Sequence, residues 1–396
     1  MPVGSLRRFA PAVGDVSILA IAAARDHASL LEGFARLPVF AAIVARSHSH
    51  ITVGSERGVI TLHVTVPEQT GAALVWHTGS RGHTQQLHAR ARRLDLTLGN
   101  GQLLDGRGEP VAAETEEHFY RHLGLPAIPP EVRDGKNEIL LAERGELPPL
   151  ISLADVRGDL HMHSTWSDGR DSIDTMVFTC QQLGYEYVAI TDHSERSLAS
   201  RQLSAADIPR QRLDIERVRS RTTRMHVLHG VEVDIMPDGS LDFDDEQLAG
   251  FDIVLASLHE DAGHDRKTLT DRYLRAIRHP LVNVITHPAN RTPGRFPGYD
   301  LDFDALFAEA AATGTAMEID GAPGHLDMDG ALARRAAASG VTIVIDSDCH
   351  RADGLARQMR FGVGTARRGW IEPAHVLNTR SIEDVRAFIA RKRDRR

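Results

Sequence analysis

With only two cysteines in 396 residues, Cys180 and Cys349, the chain has no material for a disulfide framework, so its stability rests on buried cores and its expected compartment is the reducing cytoplasm. Long apolar runs are missing too: nothing approaches the ~20 consecutive apolar residues of a membrane span, and no membrane partner is expected. Positive charge is in deficit, with 46 Lys plus Arg against 54 Asp plus Glu for a net charge of −8. Because affinity for nucleic acid rests on neutralised phosphates, this balance excludes a general DNA-coating module. The basic stretches 90–93, 210–224 and 391–396 are local exceptions, and clustered arginines of this kind read as solvated faces. An apolar run, 16–24, follows Arg7-Arg8 with the outline of a signal peptide, but Gly14 and Asp15 interrupt its approach, and it is predicted to be a strand entering a helix. The composition that remains, 42% hydrophobic and 25% charged, suits two domains with proper cores.

The densest chemistry lies in Asp159-Leu160-His161-Met162-His163-Ser164, closed by Ser167-Asp168-Gly169. His161 and His163 alternate at period two at the end of an expected strand, so both imidazoles point the same way. The same arrangement, an apolar run ending in a histidine or carboxylate, recurs down the chain. Residues 187–191 run into Asp192-His193, 227–231 into Glu232, 253–258 into His259, 282–286 into His287, and 342–345 into Asp346-Ser347-Asp348-Cys349-His350. Between them, 172–183, 204–220, 269–277, 303–312 and 330–338 carry helical periodicity. Alternating strand and helix implies a parallel sheet whose strand C-termini share one face. With 316–319 the count reaches seven strands, which predicts an α/β fold closed into a distorted seven-stranded (β/α) barrel.

On that face nine candidate ligands converge: His161, His163, Asp168, His193, Glu232, His259, His287, Asp348 and His350. A catalytic zinc takes about three protein ligands, so this set matches two to three divalent ions, Zn, Mn or Fe, with Glu232 bridging. Clustered divalent ions clamp the attacking and leaving oxygens of a displacement at phosphorus, which makes phosphoester hydrolysis the predicted chemistry. Asp192, His193 and Glu232 are the candidate catalytic residues, Asp192 by orienting a ligand histidine from behind. Cys349, between two ligands at period two, points away from them. His48, His50 and His63 have no evident partners and read as structural, as do His226, His229, His264, His279 and His325.

The strand-end motifs His161-x-His163-Ser164, Thr191-Asp192-His193, Gly230-Val231-Glu232, Ser257-Leu258-His259, Thr286-His287-Pro288 and Ser347-Asp348-x-His350 resemble those of the PHP (polymerase and histidinol phosphatase) metal-dependent phosphoesterases. The resemblance implies one metal on His161, His163, Glu232 and Asp348, a second on Glu232, His259 and His287, and a third on Asp168, His193 and His350. It narrows at Met359 to Trp370 and Val376-Leu377-Asn378-Thr379, which are similar to the end of the bacterial family X DNA polymerases that carry a PHP domain. Val3-Gly4-Ser5-Leu6-Arg7-Arg8, Val13-Gly14-Asp15-Val16 and His77-Thr78-Gly79-Ser80 resemble that family's palm, and the stretch from Tyr120 to Glu138 its thumb. The implied domains are a degenerate palm-like 1–85, a thumb-like segment and linker 86–150, and a PHP barrel 151–396.

Departures from the family pattern bear on activity. A family X palm needs three aspartates; here Gly14-Asp15-Val16-Ser17 has serine for the second, and the third position is expected at Leu62. The start of the chain, three residues before Gly4-Ser5, leaves no room for the lyase and fingers domains, so polymerisation is expected to be lost. Asp320 stands where the family has Asn, and His325 where it has Arg. The implied activity is a 3′→5′ exonuclease or DNA end-processing phosphodiesterase acting on DNA 3′ ends, without an organic cofactor. The alternatives are a phosphomonoesterase of histidinol phosphatase type on a small metabolite, and a DNA- or protein-binding scaffold. Oligomeric state is left open.

Overall fold

The computed structural model describes residues 1–394 and separates into two compact units, Met1–Pro148 and Pro149–Arg396. Residues 395 and 396 of the basic tail stretch lie outside the described residues.

The first unit is built on a five-stranded sheet of β1 (Pro2–Val3), β2 (Val16–Ile21), β3 (Ala42–Arg46), β4 (His50–Ser55) and β5 (Gly58–Thr65), in the order β1-β2-β5-β4-β3. The apolar run predicted as a strand is β2, parallel to β5, while the other pairs are antiparallel. Alternation in β4 and β5 sends Ile51, Val53, Leu62 and Val64 to one face, where they pack with Leu31 of the helix His27–Ala35. That packing decides the register. Ser17 pairs with Thr61, and Leu62 pairs with Ile18. Leu62 therefore points into the core, and the position facing Ser17 is Thr61, which corrects the expected register by one residue. His63 shares the face of Thr61. It stacks on His77 at 3.8 Å and lies 5.7 Å from His50, so the expectation that His50 and His63 lack partners is also corrected.

Further along, a two-stranded ribbon forms from β6 (Thr97–Gly99) and β7 (Gln102–Leu104). A buried polar network organises the helices here: His83 bonds Glu138 at 2.7 Å and the Tyr120 hydroxyl at 2.8 Å, and Glu116 joins Arg7 and Arg133.

In the second unit seven strands, β8 (Gly158–Asp159), β9 (Tyr187–Ile190), β10 (His226–Asp234), β11 (Ile253–Ser257), β12 (Val284–Ile285), β13 (Ala316–Asp320) and β14 (Ile343–Asp346), follow one another in space as in sequence. Every neighbouring pair is parallel. Most crossovers are helices that start on a side-chain cap, as with Ser172, Asp265, Asp302 and Asp329, whose oxygens accept from an N–H three residues on.

β8 is only two residues long, so His161 and His163 lie beyond it rather than within it. Their shared direction comes from Met162, which bridges to Cys349 and packs outward against Ile173 and Met176. That bridge nearly closes the barrel. Asp346 accepts from Leu160 N at 2.7 Å, and Asp159 accepts from Ser347 N at 3.2 Å. Deeper in the gap, Asn378 takes the place of a strand: its Nδ2 donates to Gly158 O and Ile345 O, and its Oδ1 accepts from Ile345 N.

Candidate metal centre

Glu232, fully buried in β10, is the middle of the strand C-terminal face. Its Oε2 lies 2.8 Å from His193 Nδ1, 3.3 Å from His161 Nε2 and 3.5 Å from His163 Nε2. Its Oε1 lies 2.9 Å from His287 Nε2 and 3.7 Å from His259 Nε2. Asp348 Oδ1 stands 3.1 Å from His163 Nε2 and 3.6 Å from His161 Nε2. Asp168 Oδ1 approaches His350 Nε2 at 3.2 Å and His193 Nε2 at 3.6 Å. All nine sequence-predicted donors are thus brought to one place.

Backbone geometry aims several of them. His287 and Asp348 take left-handed conformations, φ +25° and +45°, in the turns that leave β12 and β14. Such values strain a residue with a Cβ and concentrate where a fold directs side chains at a site. Asp168 reaches the centre because Gly169 passes so close to His163 that a Cβ would lie 2.6 Å from its carbonyl.

Among the described residues Asp192 bonds no histidine ring, contrary to expectation. Its carboxylate accepts from Ser164 N, Ser164 Oγ, Ser167 N, Ser167 Oγ and Gln211 Nε2 at 2.6 to 3.1 Å, and so it holds the loop between His163 and Asp168. The histidine-orienting carboxylates are two that sequence reading missed. Glu318 accepts from His161 Nδ1 at 2.6 Å, and Asp234 lies 3.0 Å from His259 Nδ1. Each fixes a tautomer that leaves Nε2 free to face Glu232. Two acids at period two in a buried strand, Glu318 and Asp320, were the available signal for the first.

His325, read as an ordinary histidine, also belongs here. Among the described residues, Asp320, His325 and Asp348 form one of four groups whose ligand atoms lie within 4.8 Å of one another. The others are His163, Asp168, His193 and His350; His161, His163 and Asp348; and His193, Glu232 and His259. Cys349 turns away, its Sγ 2.8 Å from Arg351 O, and burial pushes its thiol up to about 12.

Electrostatics reflect this crowding. Burial alone disfavours imidazolium, yet Glu318, Glu232 and Asp348 hold His161 well above its ordinary range. Burial is likewise outweighed at His259, raised to about 9 beside Asp234 and Glu232, and at His350, raised to about 9 beside Asp168 and Asp348. His163, buried between His193 and His350, is pushed down to about 3. Burial opposes the Glu232 carboxylate, but His193 and His161 keep it well below the usual range. Among the described residues Glu232 Oε2, Asp168 Oδ1 and His163, His193 and His287 Nδ1 have no aligned hydrogen-bond partner although all are buried. Buried acceptors that face ring nitrogens without bonding them suit divalent cations, which pair with carboxylates and neutral imidazoles at once.

A seven-stranded parallel barrel with histidines and carboxylates gathered at its strand C-termini defines the class: a metal-dependent phosphoester hydrolase of PHP type. Sequence comparison agrees, because the PHP domain family matches residues 159–289 and the DNA polymerase beta thumb family residues 73–134. The chain is 36% identical over 393 residues to the DNA polymerase/3′-5′ exonuclease PolX of Bacillus subtilis (strain 168), covering 98% of this chain and 68% of that protein. It belongs to the family of bacterial PolX proteins, the family X DNA polymerases that carry a PHP domain. A "Probable phosphatase" of Syntrophotalea carbinolica is 27% identical over 241 residues, 58% of this chain and 95% of that one. A solved histidinol phosphate phosphatase of Lactococcus lactis, complexed with zinc, L-histidinol and phosphate, aligns with TM-score 0.44 and 17% identity over 55% of this chain and 94% of that one.

Proposed function

We propose that the protein is a 3′→5′ exonuclease or DNA end-processing phosphodiesterase that uses two to three divalent ions, Zn, Mn or Fe, and does not polymerise. The observation that carries this is the gathering of nine donors around Glu232 in a chain that is similar over nearly its whole length to a PolX exonuclease. His161, His163, Glu232 and Asp348 would hold one ion, Glu232, His259 and His287 a second, and Asp168, His193 and His350 a third. Bound divalent ions supply activation of water and neutralisation of phosphoryl charge. The chain's own part is to keep that site rigid: Glu318 and Asp234 set the tautomers of His161 and His259, and Asp192 anchors the loop that presents Asp168. In the reaction a water oxygen bonds to phosphorus, the P–O3′ bond breaks, and the leaving 3′ oxygen takes a proton.

The first 85 residues are read as a palm remnant that holds no catalytic pair of magnesium ions. Of the three catalytic acids expected there one, Asp15, remains; Ser17 follows, and the neighbouring strand offers Thr61 and His63. Template-dependent primer extension is expected to be absent. Extension that is abolished by Asp15→Ala would sink that part of the reading.

The test of the main reading compares labelled single-stranded and nicked duplex DNA with histidinol phosphate and nucleoside monophosphates, in manganese, with His193→Ala as the inactive control. DNA 3′ ends should be the better substrates by kcat/KM. The second reading, a phosphomonoesterase on a small metabolite, draws on the phosphatase relative, whose likeness covers 58% of this chain. A phosphomonoester turned over orders of magnitude faster than any DNA end would select it.

A further inference from the structure

Beside the donors the barrel opens into a cavity of about 500 Å³. Its inner wall is His325, Asp348 and His350, and its outer wall includes Arg351, Asp353 and Arg357. A cavity this size is within the range that takes a whole small ligand, and much larger than a single phosphoryl group needs. Its charge is also informative. Arg351 is paired with Asp353 at 2.8 Å, whereas Arg357, exposed on the helix Leu355–Arg368, has no ion pair among the described residues. The phosphate that is cleaved must sit at the donors, where bound ions would carry its charge. A guanidinium left over across the cavity is free to meet a different anion on the same substrate. A substrate whose remainder is cationic, such as an amino alcohol phosphate, would meet repulsion there instead.

Building on the phosphoesterase reading above, we infer that Arg357 binds a second phosphate, one nucleoside away from the ester that is hydrolysed, and that the cavity houses the nucleoside between the two. The substrate class is then a phosphoester that carries an adjacent phosphate, supplied either by the next linkage of a DNA strand or by a bisphosphorylated nucleoside. On a DNA end the released group would be the terminal nucleoside 5′-monophosphate, and the second phosphate would stay on the shortened strand.

The dinucleotides dTpdT and pdTpdT separate these demands, because they share the scissile linkage and differ only in the 5′ phosphate. Thymidine 3′-phosphate and thymidine 3′,5′-bisphosphate make the corresponding pair for the small-molecule source. Wild-type protein should bind and hydrolyse the member with the extra phosphate with a lower KM and Kd, by up to about fivefold for one exposed ionic contact. Arg357→Ala should erase that preference while leaving the kcat for dTpdT or thymidine 3′-phosphate unchanged, and Arg357→Lys should restore part of it. Arg360→Ala, one turn along the same helix and outside the cavity lining, should behave as wild type. Thermal unfolding of each variant reports folding separately.

Equal treatment of both members by wild-type protein overturns the inference, as does a preference that survives Arg357→Ala. If the preference appears with the nucleoside bisphosphate and no dinucleotide is cleaved, the second-phosphate contact stands and the exonuclease reading falls. If dinucleotides are cleaved with no preference, the exonuclease reading stands and the contact falls.

Discussion

Glu318 accepts from His161 Nδ1 at 2.6 Å and from the backbone N–H of His287 at 2.7 Å, so one buried carboxylate orients two candidate ligands from different strands. Glu318→Gln is expected to weaken metal binding by about 10–100-fold, the usual cost of losing a carboxylate behind a ligating histidine. Titration of the metal-free protein with zinc or manganese measures it, and an unchanged affinity would remove Glu318 from the site. Direct ligands should behave more severely. Elemental analysis of protein prepared with manganese and zinc supplied is expected to give two to three ions per chain, and fewer in His161→Ala, Glu232→Ala and Asp348→Ala. A metal-free wild-type protein under those conditions would refute the whole site. Asp192→Ala should act more selectively, because its bonds run to Ser164, Ser167 and Gln211 and its loss frees Asp168 alone.

Between β8 and β14 the barrel has one bridge in place of a ladder, and Asn378 makes up the difference from a loop near the C-terminus. The Asn378 side chain is buried, so Asn378→Ala deprives three groups of its amide: the carbonyls of Gly158 and Ile345 lose their donor and Ile345 N loses its acceptor. Its cost is expected to be about 3 kcal/mol, since each unmatched buried group is worth ~1 kcal/mol or more. Urea denaturation followed by a probe in the barrel checks this, and a loss below ~1 kcal/mol would show that water or a neighbour replaces the amide. The basic stretches are less solvated than expected: Arg212 donates to Gly250 O, Arg219 pairs with Asp252, and Lys392 is buried and donates to Ile277 O at 2.8 Å.

At the scale of the whole molecule, the two compact units should respond differently to acid. In the first, burial, with help from His50, lowers His63 to about 4, against a smaller opposing pull from Asp15. Burial and the neighbouring His63 lower His77 to about 3. Each titrates near 6.5 when unfolded, so the unfolded chain binds protons first as pH falls. Stability contributed by the neutral pair is therefore complete above pH 6.5 and declines as pH drops from 6.5 toward 3. Hydrogen exchange across residues 1–148 at pH 7 and pH 5, corrected for intrinsic rates, should show lower protection at pH 5, and His77→Phe should shrink that difference. Equal protection at both values would mean that the stacked pair does not couple folding to protons.

The alternation of β-rich and helical segments and the repeated histidine or carboxylate at strand ends were legible in the chain, because both follow from local periodicity and from the single face that parallel crossovers create. For that reason the barrel and its nine donors could be written down from the residues. The palm-like register could not, since whether Leu62 or Thr61 faces Ser17 depends on which face of β5 finds Leu31, a contact no local pattern contains. The same holds for the partners of His161 and His259, for Asp192 serving a loop instead of a ring, and for the asparagine that closes the barrel. Those roles belong to side chains that meet only after the strands have been placed side by side, because a buried polar group takes whatever partner the packed fold brings within reach.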